Sequence, residues 1–164
     1  MKRAVITGIG IISSLGNSVV DVTESLKFGR SGIKKDETFI EKGLRSQISG
    51  QVSLKPQELI ERKLYRFMTE SSGFGYLAMA QAIKDANLEG DMVKNDLTGL
   101  VMGTGSTSIE DIVDSVETFH RAGVRRVGPY RVTRGMSSAL SSVLSTSFGI
   151  RGINYSVTSA CATS

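Results

Sequence analysis

The sequence has little cysteine and little proline. Cys161 is the only cysteine among 164 residues, and there are only two prolines. A single cysteine excludes an internal disulfide, so the chain is not a disulfide-stapled secreted domain, and we expect a reducing compartment. The low proline content together with 18 glycines is typical of tight turns between strands and helices rather than of a linker.

Long apolar runs and a strong charge imbalance are also absent. The first apolar stretch, "AVITGIGII", is broken by glycines and is too short to span a membrane. The net charge of +4, from 20 basic and 16 acidic residues, does not by itself indicate a nucleic-acid partner. With 40% hydrophobic and 22% charged residues, the composition is typical of one ordinary globular domain. We therefore expect a soluble, cytoplasmic protein.

Short apolar stretches alternate with segments of helical periodicity. The predicted strands are Arg3–Thr7, an edge strand or irregular hairpin at Arg45–Val52, Thr98–Ser106 running into a turn, and Ile153–Val157. The predicted helices run from Ser18 to Gly29, over Glu58–Asn87, from Ser108 to Gly123, and over Val132–Phe148, where serine and threonine predict close packing. This alternation predicts an α/β fold with a mainly parallel sheet packed with helices.

Two glycine motifs resemble nucleotide-binding loops without completing them. In "TGIGIISSLG", Gly8 and Gly10 fit the dinucleotide fingerprint, but Ser13 occupies its third glycine position. No strand ending in an acidic residue follows at the distance that ribose recognition requires. In "GTGSTS" the Gly-Lys-Ser/Thr ending of a phosphate loop is missing. A nucleotide-binding domain is therefore disfavoured, and both motifs are predicted to form tight turns.

Cys161 follows the last predicted strand among small and hydroxyl residues. A helix beginning at Cys161 would place the thiol at a helix N-terminus, where the macrodipole favours the thiolate. A thiolate is a nucleophile that can carry an acyl group as a thioester. The alternative is a buried, inert cysteine, because free cysteines are among the residues most often buried. Spacing alone leaves both interpretations open.

Basic residues cluster in two places. Arg62, Lys63 and Arg66 share helical spacing, and five arginines with no intervening acid are Arg121, Arg125, Arg126, Arg131 and Arg134. Arginine suits carboxylate and phosphate partners, although a solvated charged surface is the alternative. The lone His120, near the end of a predicted helix, is interpreted as a surface or partly buried helical residue.

Four segments in order resemble one family: "MKRAVITGIGIISSLGN", "LIERKLYRFM", "GPYRVTRGMSS" and "GINYSVTSACATS". They are similar to the type I β-ketoacyl-acyl carrier protein synthases, the elongating condensing enzymes of bacterial fatty acid synthesis. The resemblance covers essentially the whole chain and implies a thiolase-like fold. It also implies that residues 1–164 are the N-terminal half, cut just after the nucleophile, with the C-terminal half absent.

The resemblance also implies roles for individual residues. Cys161 matches the acyl-accepting nucleophile, and no metal or redox cofactor is implied. Arg62, Lys63 and Arg66 match the docking patch for the acidic acyl carrier protein, and Arg125 and Arg126 fall in a second region that contributes to it. The implied assembly is a homodimer, with neither nucleic acid nor membrane as a partner.

The two catalytic histidines and the lysine of the family lie in its second half, and His120 matches neither histidine. We therefore expect the 164 residues alone not to catalyse condensation. A non-catalytic dimerisation or carrier-docking module remains an alternative. A degradative thiolase is a second one, against which the docking patch argues.

Overall fold

The computed structural model describes residues 3–163, which form two compact units. The first unit contains the described residues up to Lys55 and the segment Leu77–Asn87. The second contains Pro56–Tyr76 and the described residues from Leu88 onward. The elements in chain order are α1 (Val19–Lys27), β1 (Ile33–Lys35), α2 (Glu37–Glu41), β2 (Ile48–Gly50), α3 (Pro56–Leu59), α4 (Arg62–Tyr65), α5 (Glu70–Asp85), α6 (Gly90–Val93), β3 (Leu100–Gly103), α7 (Ile109–Ala122), α8 (Val124–Val127), α9 (Tyr130–Arg134), α10 (Ala139–Phe148) and β4 (Asn154–Val157).

Helix α1 begins at a side-chain cap and ends at a glycine, as predicted. The Ser18 hydroxyl accepts a hydrogen bond from the Asp21 N–H at 3.1 Å and donates one to Asp21 Oδ2 at 2.7 Å. Gly29, which follows the last turn, has a φ of 61°. The cap satisfies an N–H group that has no partner within the helix, and the glycine tolerates the left-handed backbone that ends it.

Strands β1 and β2 pair antiparallel in the first unit. Of the two alternatives predicted at Arg45–Val52, this confirms the edge strand, because β2 pairs with β1 outside that segment and not within it. Asp36 caps α2 by accepting a hydrogen bond from the Phe39 N–H at 3.2 Å, and it also accepts one from the Ser49 hydroxyl at 2.7 Å. The Ser49 bond is the largest influence on the Asp36 carboxyl and lowers its pKa, although desolvation acts in the opposite direction.

The first glycine motif packs closely against α5. A Cβ on Gly8 would stand 2.2 Å from the Ala82 carbonyl oxygen, and one on Gly10 would stand 1.7 Å from the Ala78 carbonyl oxygen. Only glycine fits at such distances, so these residues are needed for packing rather than for phosphate.

Backbone N–H groups beside these glycines already have partners on α5. The Ile9 N–H donates to Asp85 Oδ2 at 3.0 Å, and the Ile11 N–H donates to Gln81 Oε1 at 3.1 Å. A dinucleotide-binding loop uses such N–H groups to hold the pyrophosphate. Their engagement by α5 argues further against the nucleotide-binding interpretation.

The strand predicted at Arg3–Thr7 is wrong. The structure assigns no strand there, and Val5 and Ile6 are 77% and 85% exposed. A strand needs a neighbouring strand to pair its backbone groups, and no strand in residues 3–163 pairs with this segment.

The pattern over Glu58–Asn87 forms three helices instead of the single helix predicted. Pro56 begins α3, and the Thr69 hydroxyl accepts a hydrogen bond from the Ser72 N–H at 3.1 Å, so α5 starts at a cap of its own. Within α5, a Cβ on Gly73 would stand 2.5 Å from the Pro56 Cβ. The helical glycine therefore lets the proline ring lie against the helix.

Strands β3 and β4 pair in parallel, with Val101 opposite Tyr155, which confirms the strand predictions on both segments. Helix α10 packs on this pair and buries Ala139, Val143 and Leu144. The close packing predicted for the serine-rich segment is therefore confirmed. The predicted α/β class is also confirmed, with one parallel and one antiparallel strand pair among the described residues.

The helix predicted over Val132–Phe148 is interrupted, because α9 ends at Arg134 and α10 begins at Ala139. Arg131 and Arg134 are held by ion pairs to α7, whereas α10 packs on the strands, so the chain turns between them. No helix in the described range 3–163 has the length and apolar character needed to cross a membrane.

Helix α7 has the ends that the sequence predicts. The Ser108 hydroxyl accepts a hydrogen bond from the Asp111 N–H at 3.3 Å, and Gly123, with a φ of 79°, ends the helix. His120 is exposed near its C-terminal end, and its ring lies 5.5 Å from that of Phe119. This placement confirms the interpretation of His120 as a helical surface residue.

Candidate active site and basic surface

Cys161 is exposed on a tight turn that follows β4. The turn is a single 3₁₀ turn, Ala160–Ala162, and Ser164 lies outside the described residues. The expected strand and turn are present, but no α-helix begins at Cys161 among the described residues, because Cys161 lies in the middle of the 3₁₀ turn. The interpretation of Cys161 as a buried residue is wrong, because the turn leaves the side chain at the surface.

Side-chain and backbone hydrogen bonds hold this turn. The Thr163 hydroxyl accepts a hydrogen bond from the Ser159 N–H at 2.8 Å and donates one to the Ala160 carbonyl at 2.7 Å. The backbone bonds that close the turn are donated by Ala162 and Thr163, to the Ser159 and Ala160 carbonyls. Within the described residues, the Cys161 N–H takes no part in closing it.

Ala160 has a φ of 47°, a left-handed conformation that non-glycine residues seldom adopt. Such a conformation costs about 1–3 kcal/mol and persists where the surrounding contacts enforce it. Ala160 lies directly before Cys161 and is the first residue of the 3₁₀ turn. Sequence reasoning missed this feature, because alanine carries no signal for a positive φ.

The loop after β3 lies against the cysteine turn. Because β3 and β4 are parallel, the segments that follow them leave the sheet at the same end of the strands. There the Thr104 N–H donates a hydrogen bond to the Val157 carbonyl at 3.2 Å. A Cβ on Gly103 would stand 2.7 Å from Thr163 Cγ2, and one on Gly105 would stand 3.2 Å from the Ala160 carbonyl oxygen. The second glycine motif therefore makes room for the cysteine turn, in addition to preceding the capped helix α7.

The first basic cluster is exposed on and beside α4. Arg62 and Lys63 lie on the helix, and Arg66 follows it. The Arg66 guanidinium carbon lies 4.8 Å from the Phe67 ring centroid and 5.0 Å from that of Tyr130. The predicted patch of three cations is therefore a surface feature, and its third member is held by aromatic rings.

The second basic cluster divides into exposed and paired arginines. Arg125 and Arg126 are exposed on α8. Arg131 pairs with Asp111 at 3.2 Å and also with Asp114, and Arg134 pairs with Asp111 at 3.3 Å. The fold supplies from α7 the acids that this stretch of sequence lacks, so the five arginines do not form one unpaired patch.

A cleft of about 700 Å³ lies beside these ion pairs. Its lining includes Tyr65, Glu70, Glu110, Asp111, Asp114, Glu117, Arg131 and Arg134. Burial, followed by the nearby Glu70 carboxylate, raises the pKa of the Tyr65 hydroxyl, and Arg134 opposes the shift. No residue of the cysteine turn lines this cleft, and no group of acids, histidines or cysteine in residues 3–163 has the geometry of a metal site.

The whole chain, residues 1–164, matches the family model described as the N-terminal domain of β-ketoacyl synthases. The 3-oxoacyl-acyl-carrier-protein synthase 1 of Haemophilus influenzae is 47% identical over 165 residues, which cover all of this chain and 41% of that protein. The chain thus spans about two fifths of the length of this curated relative.

Two solved structures share the fold. The ishigamide ketosynthase/chain length factor matches with a TM-score of 0.81 and 26% identity, over 94% of this chain and 39% of that one. A type II polyketide ketosynthase, AntDE, in complex with its acyl-carrier protein AntF, matches with a TM-score of 0.66 and 25% identity, over 90% of this chain and 39% of that one. These matches confirm the resemblance that the four sequence motifs indicate.

Proposed function

Because the chain belongs to the family of β-ketoacyl synthase N-terminal domains, we propose that it supplies the acyl-accepting part of a 3-oxoacyl-acyl carrier protein synthase. The observation that carries the proposal is the position of Cys161. It is the only cysteine, and it lies exposed on a constrained turn between a parallel strand pair and a glycine loop. An acyl group delivered on a pantetheine arm needs such an accessible thiol among small neighbours.

The proposed chemistry begins with acyl transfer. The Cys161 thiolate attacks the carbonyl carbon of an acyl-carrier thioester, the new C–S bond forms, and the carrier's thiolate leaves. The Cys161 N–H, which takes no part in closing the turn within the described residues, donates to the oxyanion that develops on the carbonyl oxygen. Malonyl-carrier protein then loses CO₂, and the resulting carbanion attacks the Cys161 thioester. The product is two carbons longer, and the thiolate is regenerated without a metal or redox cofactor.

The second step needs groups that this chain does not provide. His120 is the only histidine, and it lies exposed on α7. Neither His120 nor any residue of the Cys161 turn lines the cleft beside the Arg131 and Arg134 ion pairs. We propose that residues 1–164 act with a C-terminal part that carries the two histidines and the lysine implied by the resemblance, within a cytoplasmic homodimer.

The basic surface supplies the proposed docking site for an acidic acyl carrier protein. Arg62, Lys63 and Arg66 are exposed together around α4, and Arg125 and Arg126 are exposed on α8. Opposite charges steer the encounter of two proteins and make its rate depend on salt. The solved complex of AntDE with AntF supports a carrier protein as the class of partner.

A condensation assay tests the proposal. Residues 1–164 are compared with a chimera in which they are joined to the C-terminal part of the Haemophilus influenzae relative, with acyl- and malonyl-carrier substrates. We expect the chimera to release CO₂ and form the 3-oxoacyl product, and the 164 residues alone to form none. A chimera that retains condensation after Cys161→Ala would refute the role of the cysteine.

The alternative is a non-catalytic carrier-docking or dimerisation module. It is favoured by the exposure of the basic residues without a complete catalytic set in this chain. A folded chimera that binds carrier protein but forms no product would support this alternative.

A further inference from the structure

Arg66 differs from the other arginines of the second unit in how its side chain is held. Its guanidinium carbon lies over both the Phe67 ring, at 4.8 Å, and the Tyr130 ring, at 5.0 Å. The two rings support each other in an edge-to-face contact, with centroids 4.9 Å apart and planes at 83°. Phe67 follows Arg66 directly in the sequence, whereas Tyr130 lies on α9. The contact of Arg66 with both rings therefore forms only when the fold brings α9 to this segment.

Aromatic contacts hold an arginine without neutralising it. A guanidinium near a ring face is attracted by the ring quadrupole, and its N–H groups remain able to bind a carboxylate. By contrast, Arg131 and Arg134 are held by the carboxylates of Asp111 and Asp114, which cancel their charge. Among the described residues, Arg66 forms no ion pair, so its full charge is presented at the surface.

A long side chain that is already ordered before a partner binds loses less conformational entropy on binding. An arginine that is mobile in the free protein loses rotamer freedom when a partner binds it, and this loss weakens the complex. Arg62 and Lys63 are exposed on α4, and within residues 3–163 neither of them forms a cation–π contact. Arg66 is therefore the member of the patch whose geometry is set before the partner arrives.

We propose that Tyr130 and Phe67 are positioning residues that hold the charged Arg66 guanidinium ready for a carboxylate on an acidic carrier protein. This inference rests on the docking role proposed above. It assigns a function to two aromatic residues that neither touch the reacting atoms nor carry charge.

The test measures the affinity of the 164-residue chain for an acidic acyl carrier protein at low salt. Tyr130→Leu should weaken binding about three- to tenfold, the range expected for one cation–π contact. Tyr130→Phe keeps the ring and should bind like the wild type. In an Arg66→Gln background, Tyr130→Leu should have no further effect, whereas a merely structural role would make the two losses add.

A matched control exists in the first unit. The Arg30 guanidinium carbon lies 5.3 Å from the Phe28 ring centroid, outside the basic patch. Phe28→Leu removes a contact of the same kind and should leave carrier binding unchanged. Equal binding by wild type and Tyr130→Leu, or an equal loss in Phe28→Leu, would overturn the inference. If the wild type binds no carrier protein at any salt concentration, the docking role itself fails and the inference fails with it.

A second measurement needs no variant and decides the case if Tyr130→Leu does not fold. NMR relaxation of the arginine Nε–Hε groups in the wild-type chain should show a more ordered Arg66 than Arg62. Equal order in the two side chains would contradict the positioning role.

Discussion

The contact between Gly103 and Thr163 gives a sharp test of how the cysteine turn is supported. In Gly103→Ala the new Cβ would stand 2.7 Å from Thr163 Cγ2, about 0.7 Å short of the 3.4 Å at which ordinary contact begins. Thr163 cannot rotate freely to avoid it, because its hydroxyl bonds both the Ser159 N–H and the Ala160 carbonyl. The added methyl group must therefore displace the turn.

The magnitude follows from two opposing effects. Overpacking of this kind costs about 1–3 kcal/mol. Replacing a strand glycine by alanine recovers about 0.5–1 kcal/mol of backbone entropy. The difference is a net cost of about 0–2.5 kcal/mol, and its centre at about 1 kcal/mol corresponds to a roughly five- to tenfold shift toward a displaced turn. Because the Thr163 hydroxyl holds the turn through its bonds to Ser159 and Ala160, we expect the turn to detach locally while the remaining fold persists.

Amide hydrogen exchange measures this opening at the Ser159 N–H, which bonds to the Thr163 hydroxyl. We expect Gly103→Ala to speed exchange there about five- to tenfold. Adding Thr163→Ser removes the clashing methyl group, keeps the hydroxyl and should restore slow exchange. Gly90→Ala is the matched control, because no atom lies within 4 Å of its added Cβ. Unchanged exchange in Gly103→Ala, or no rescue by Thr163→Ser, would refute the reasoning.

Two further predictions concern the charged residues. Asp111→Asn should lower the free energy of unfolding, measured by urea denaturation, by about 2 kcal/mol. The substitution leaves the part-buried Arg131 and Arg134 without their shared carboxylate. The expected loss is smaller than that for breaking a fully buried ion pair, because solvent screens part of the interaction. An unchanged unfolding midpoint would contradict it. In the condensing chimera, Arg62→Glu with Lys63→Glu should raise the KM for carrier-linked substrates at low salt, with a smaller effect at high salt because ions screen exposed charges. An unchanged KM at low salt would remove these residues from the docking site.

The local signals in the sequence predicted local structure well. The caps at Ser18 and Ser108 and the glycines at 29 and 123 predicted the ends of α1 and α7, because capping depends only on neighbouring residues. The segments of β3 and β4 were also predicted, since a short apolar run between turns is typical of a strand, although the side chains of β4 are exposed.

Features that depend on distant parts of the chain could not be predicted. The breaks at Thr69 and near Gly135 lie inside continuous apolar patterns, so periodicity predicted one helix in each case. The pairing of Arg131 and Arg134 with Asp111 joins segments about twenty residues apart. The placement of Gly103 against Thr163 likewise arises only once two strands are side by side. The sequence therefore named the candidate site residues, whose roles stay predictions, and missed the contacts that hold them.

The central claim is that Cys161 carries the acyl group, and the most direct measurement is the mass of the acylated protein. The chimera is incubated with an acyl-carrier thioester in the absence of malonyl-carrier protein, and its intact mass and peptides are determined. We expect one acyl group, located on the peptide that contains Cys161, and no adduct in Cys161→Ala. An acyl group found on another residue, or condensation that proceeds without any adduct on Cys161, would contradict the account.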